Sequence, residues 1–143
     1  MQDFGLGTMH AKNNRLFLIV TALVETAAGI CLFFLPVVVF AALLGLADAS
    51  REVIFVGRLA GAALFAIGVA SWMAKIDGRT PAQLGLLTGI LVYNAAAALL
   101  LAYAGAVLKM VGVLLWPAVI LHAILAVWCF RCLLPHNEGK IVH

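Results

Sequence analysis

Four polar side chains in apolar surroundings are the groups of this sequence with chemistry to offer: Glu25, Arg58, Asn94 and His122. Each lies in a different apolar stretch. Together a carboxylate, a guanidinium, an amide and an imidazole can pair ions, share hydrogen bonds, hold a small polar ligand or pass a proton. Ionisable groups inside a membrane span cost ~2.5–3.5 kcal/mol on insertion scales and usually face the interior of a bundle. Glu25, Asn94 and His122 fall near the middle of their stretches, and Arg58 falls nearer an end. Two arrangements follow. Either Glu25 pairs with Arg58, or Glu25, His122 and Asn94 cluster. Helical side chains lean toward their own N-terminus, which carries Arg58 outward and Glu25 inward. Arg58 snorkelling to the interface, with Asp48 or Glu52 as partner, therefore competes with the pair. Such a cluster serves either as polar clamps that fix helix register or as a small ligand pocket or proton path.

The stretches that must position these groups dominate the chain. It has 143 residues, 66% of them hydrophobic and 10% charged. Soluble domains run at ~45–50% apolar and ~25% charged, so a soluble enzyme, a nucleic-acid binder and a disordered segment are excluded. One span needs ~20 apolar residues. The pattern predicts a single membrane domain over 1–143, with spans at 16–35, 53–74, 83–103 and 113–134. The first apolar run is too long for one bilayer crossing and contains Pro36. Proline favours the first position of a helix, so a short interfacial helix is expected at 37–46. Residues 1–14 read as a polar tail, and Lys75 to Pro81 as a turn. The fold class expected is all-α: an integral membrane four-helix bundle, up-down-up-down, with that short extra helix after Pro36.

Charge sets the expected orientation. Lys12, Arg15, Lys75, Arg79, Arg131 and Lys140 gather on one side, against Arg51 and Lys109 on the other. The positive-inside rule then places both termini in the cytoplasm, with the bundle in a bacterial inner membrane. Trp72, Tyr103, Trp116 and Trp128 fall near the expected interfaces, as an aromatic belt requires.

Small residues share the faces of the polar groups. Arg58, Gly61, Phe65, Gly68 and Trp72 have the spacing of one helical stripe, and Thr21, Glu25 and Gly29 of another. Gly57–Gly61 and Gly85–Gly89 are GxxxG motifs, which let helices approach closely. Gly29, Gly57, Gly61, Gly68, Gly85 and Gly89 are the expected packing residues, within the chain or between chains.

No Walker loop, GxGxxG or HExxH is present, no Ser-His-Asp set is credible, and no catalytic residue is assigned. Cys129 and Cys132 form one CxxC in a helical context, and Cys31 lies in an apolar run; packed or lipid-facing thiols are the expected reading. No metal site is expected, and no cofactor is indicated.

The strings Gly57-Arg58-Leu59-Ala60-Gly61-Ala62-Ala63-Leu64 and Leu115-Trp116-Pro117-Ala118 with His122, together with Glu25, Gly29 and Tyr93-Asn94, carry a likeness. From about Leu16 to Trp128 the chain resembles a widespread bacterial family of small four-span membrane proteins of unassigned function. The resemblance implies a four-helix inner-membrane protein and directs attention to Glu25, Arg58, Asn94 and His122. It implies no reaction and no ligand. The function expected is that of an accessory or interaction subunit, working by helix contacts in a membrane complex or homo-oligomer. Partners expected are the lipid bilayer and other membrane subunits or a second copy, not nucleic acid. Binding or transport of a lipophilic ligand or protons at the polar cluster is the alternative, and an enzyme acting on lipid or quinone is a second.

Overall fold

The computed structural model describes residues 3–76 and 80–134, with side chains from Lys12 onward. Residues 77–79 of the turn expected from Lys75 to Pro81, Arg79 among them, and Lys140 lie outside the described residues. Among the described residues five helices follow in order: α1 Asp3–Phe34, α2 Pro36–Leu44, α3 Arg51–Ala74, α4 Pro81–Ala106 and α5 Leu115–Leu133. Four are long and apolar enough to cross a bilayer: Lys12–Phe34, Arg51–Ala74, Pro81–Ala106 and Leu115–Leu133. The chain is an all-helical four-helix bundle of multi-pass membrane type.

The helix ends follow their sequence signals. Pro36 opens α2, and Gly45 ends it at φ 73° in the left-handed region that glycine adopts without strain. The Gly45 N–H donates to the Ala41 carbonyl at 3.0 Å, and that of Leu46 to Phe40 at 3.3 Å. Ser50 caps α3 by accepting from the Val53 N–H at 3.4 Å. Thr80 caps α4 by accepting from the Gln83 N–H at 3.2 Å, with Pro81 at the first helical position.

One expectation fails at the N-terminus. The segment read as a polar tail is helical from Asp3 onward. Its polarity has a structural use: Asn13 and Asn14 turn into the bundle. The Trp128 indole N–H donates to Asn13 Oδ1 at 3.0 Å, and Asn13 Nδ2 donates to Cys132 Sγ at 3.4 Å. Asn13, with partners on a neighbouring helix, and buried Asn14 extend α1 rather than end it.

The bundle is built as two antiparallel pairs. α1 packs on α3 through glycines. A Cβ placed on Gly61 would lie 2.8 Å from the Gly29 carbonyl oxygen, and one on Gly29 would lie 2.6 Å from the Phe65 nitrogen. Toward the other end of the same seam, Gly68 faces Thr26 and Ala22. α4 packs on α5, where the Cys129 thiol donates to the Leu87 carbonyl at 3.1 Å. The pairs join where Phe17 of α1 meets Trp128 of α5, ring centroids 5.5 Å apart. Around them lies the buried apolar core, including Leu18, Leu87, Ile90 and Leu125. At the opposite end, the Leu114 N–H donates to Ala42 at 2.9 Å, satisfying one of the carbonyls that the end of α2 leaves free.

Candidate functional site

Glu25 sits midway along α1 and is 1% exposed. Asn94 of α4 is fully buried, and His122 of α5 is half-buried. Asn94 Nδ2 donates to the Ile90 carbonyl of its own helix at 2.9 Å. This fixes the amide, so its oxygen faces the next helix. There His122 Nδ1 lies 2.9 Å from Asn94 Oδ1. The imidazole meets the Tyr93 ring edge-on, with centroids 5.7 Å apart and planes at 86°. The Tyr93 hydroxyl in turn hydrogen-bonds the Glu25 carboxyl. Glu25, Tyr93, His122 and Asn94 thus form a continuous chain of contacts through α1, α4 and α5.

Tyr93 is the member that the sequence offered only within the Tyr93-Asn94 pair and not as a site residue. A signal existed. Tyrosine in a membrane protein favours the interface, where its hydroxyl is wet. One placed at mid-span needs a buried hydrogen-bond partner. Glu25 and His122 are therefore joined through the phenol rather than directly.

Arg58 is not brought to this group. It lies on the exposed side of α3, and no hydrogen bond or ion pair joins its side chain to another described residue. The glycines of α3 explain why. Gly57 packs beneath Phe40 and Pro36 of α2, and Gly61 against Gly29 of α1. Position 58 is rotated by ~100° from position 57, off the seam. The expected stripe accordingly divides. Gly61 and Gly68 are buried, while Arg58, Phe65 and Trp72 face outward.

The glycines divide as well. Gly29, Gly57, Gly61 and Gly68 each have a neighbouring helix where a Cβ would stand. Gly85 and Gly89 have nothing within 4 Å of that position. They lie on an exposed face of α4 with Thr88, Val92, Ala96 and Leu99.

Polar groups also continue below Glu25. Thr21 and Ser71 are fully buried, and Asn14 is 4% exposed. Among the described residues, Asn14 Oδ1, Thr21 Oγ1, Ser71 Oγ and Glu25 Oε1 have no hydrogen-bond partner. Sequence reading noted Thr21 only as part of the Glu25 stripe. The spacing of 14, 21 and 25 on one helical face was the available signal.

Two open grooves mark the outer surface. One, of about 1060 Å³, runs along α5 between Val119 and Leu134 and reaches Asn13, Trp128 and Arg131. A smaller one, of about 240 Å³, lies over the Gly29–Gly61 seam beside Phe33, Phe34 and Phe65. Neither is lined by Glu25, Asn94 or His122. Cys129 and Cys132 are buried free thiols, and Cys31 is an exposed one. Among the described residues no group of three or more His, Cys, Asp or Glu side chains could hold a metal ion.

No known family, curated protein or solved structure matches this chain.

Proposed function

We propose that this protein is an interaction subunit of the membrane, assembling with a second copy of itself through the outer face of α4. One observation carries the reading. Four of the six helix-packing glycines are used inside the bundle, whereas Gly85 and Gly89 face open space. A GxxxG pair costs helix stability and gains nothing until another helix lies against it. The face around it carries Thr88, Val92 and Ala96 and no charged side chain. Two copies of such a face are complementary about a two-fold axis along the membrane normal.

The orientation we propose puts the start of α1 in the bacterial cytoplasm. Lys12, Arg15, Lys75 and Arg131 support it, since the ends of α1, α3 and α5 that carry them meet at one side. Lys75 stacks on the Trp72 ring at 2.8 Å from the centroid. Its ammonium is held below the ordinary lysine range, first by loss of hydration and then by the Arg15 guanidinium. Arg51 and Lys109 lie at the opposite side.

Blue-native electrophoresis after gentle solubilisation tests the assembly. The wild type should run as a homo-oligomer, and Gly89→Ile should run as a folded monomer. A strictly monomeric wild-type band with no co-purifying protein overturns the proposal. A complex with a different protein that Gly89→Ile also releases would replace the second copy by another subunit.

A further inference from the structure

We propose that a file of bound water runs inside the bundle along α1, hydrogen-bonded to Asn14, Thr21 and Ser71. It ends on Glu25, making that carboxyl a proton-binding site open to the end of the bundle where α1 begins.

The four orphaned oxygens carry this inference. Buried polar groups in folded proteins are almost always paired, with ordered water where no protein group serves. A buried water typically makes ~3 hydrogen bonds to such groups. Here Asn14 Oδ1, Thr21 Oγ1, Ser71 Oγ and Glu25 Oε1 are all left over. All four residues are at most 4% exposed. They are also aligned. Steps of seven and four residues keep Asn14, Thr21 and Glu25 within an arc of ~40° on α1, rising ~10 Å and then ~6 Å. Hydrogen bonds between oxygens are ~2.8 Å long, so one water bridges the upper gap and two or three the lower.

Ser71 belongs to the same site by depth. Gly68 of α3 faces Ala22 and Thr26. Ser71 lies one antiparallel turn further along α3, which brings it level with Thr21. The two hydroxyls also depart from the usual behaviour of such groups in helices. Thr88 donates to the carbonyl four residues back, at Leu84, with a distance of 2.9 Å. Thr21 Oγ1 and Ser71 Oγ make no such bond. They remain available to another donor or acceptor.

The walls and the two ends of the file differ in character. Phe17 packs onto Trp128, the Ala22 backbone carbonyl lies against Gly68, and buried Leu18 borders the file between Asn14 and Thr21. Beyond Glu25 the Tyr93 hydroxyl occupies the carboxyl, with the His122 ring behind it. At the near end, exposed Lys12 and Arg15 flank Asn14. The site is therefore one-sided. When Glu25 gives up its proton, the carboxyl O–H bond breaks and the proton passes to the adjoining water. The file carries it to the α1 end, and uptake reverses the path. No electron moves and no other bond changes.

Water-edited solid-state NMR of the intact protein in phospholipid bilayers tests this. Magnetisation from water should reach Thr21, Ser71 and Glu25 several-fold faster than Thr26, Gly29 and Leu99. Build-up at Thr21 and Glu25 no faster than at Gly29 overturns the proposal, and this reading requires no variant. Thr21→Val keeps the shape and removes the hydroxyl, and it should slow build-up at Glu25 several-fold. An unchanged rate at Glu25 in that variant also overturns it. Neither result depends on whether α4 assembles with a second copy.

Discussion

Asn94 holds His122 by a single hydrogen bond, 2.9 Å from Oδ1 to Nδ1, across the α4–α5 interface. Asn94 Nδ2 is already committed to the Ile90 carbonyl. Its oxygen can only accept, so His122 Nδ1 is the donor. The assignment is a consequence of the hydrogen-bond pattern and fixes the tautomer. Nitrogen-15 NMR of bilayer samples should find the His122 proton on Nδ1; a proton on Nε2 alone would contradict the arrangement. Interhelical hydrogen bonds of this kind average ~0.6 kcal/mol, with a ceiling of ~1.7 kcal/mol. A double-mutant cycle with Asn94→Ala and His122→Ala, read by unfolding in mixed micelles, should return a coupling in that range.

Glycines of similar sequence context should respond oppositely to alanine. A Cβ at Gly61 meets the Phe33 nitrogen at 2.6 Å and the Gly29 oxygen at 2.8 Å, both backbone atoms that cannot turn away. Gly61→Ala must push α1 and α3 apart, an overpacking cost of about 1–3 kcal/mol. At Gly85 nothing lies within 4 Å. Gly85→Ala should stabilise the isolated monomer in detergent by about 0.5–1 kcal/mol through helix propensity alone. Equal losses in both variants would show that α4 is packed inside the monomer.

The four spans and the short helix after Pro36 were legible because their cause is local. Apolar length, a proline and terminal capping residues act within one segment. Within α3, by contrast, sequence could not choose a face. Arg58 and Gly61 are three residues apart and fit one stripe, yet Gly61 enters the α1 seam and Arg58 does not. The choice is made by α2, whose Phe40 and Pro36 take up Gly57 and set the rotation of α3. Tyr93 escaped for a related reason. Its bond to Glu25 depends on the placement of α4 against α1, which no spacing within α4 encodes. Asn13 and Asn14 read as the end of a tail because polarity alone does not distinguish solvent from a polar contact on α5, as at Asn13, or from burial, as at Asn14.

Glu25 and Arg58 should be energetically independent. One is buried on α1 beside Tyr93, and the other is exposed on α3. Arg58→Gln should change stability by no more than ~0.5 kcal/mol, as surface substitutions without a special partner do. The Glu25→Gln and Arg58→Gln effects should then add within ~0.3–0.5 kcal/mol. A coupling well above that would restore the ion pair that the geometry of α3 excludes.

The start of α1 should depend on one indole. Trp128 Nε1 donates to Asn13 Oδ1 at 3.0 Å while its ring packs against Phe17 at 5.5 Å. Trp128→Phe keeps an aromatic ring against Phe17 and deletes the donor. The expected cost is about 0.5–1.5 kcal/mol for the lost hydrogen bond. The effect should also be local. Asn13 is held by Cys132 as well, through a weaker contact of 3.4 Å to sulfur. Amide exchange should rise around Asn13 and Asn14 in Trp128→Phe, and rise further when Cys132→Ala is added. Exchange along α3, which meets α1 at Gly61 and Gly68, should stay at its wild-type rate. Faster exchange throughout α1 and α3 would instead make the Asn13 contact a support of the whole bundle.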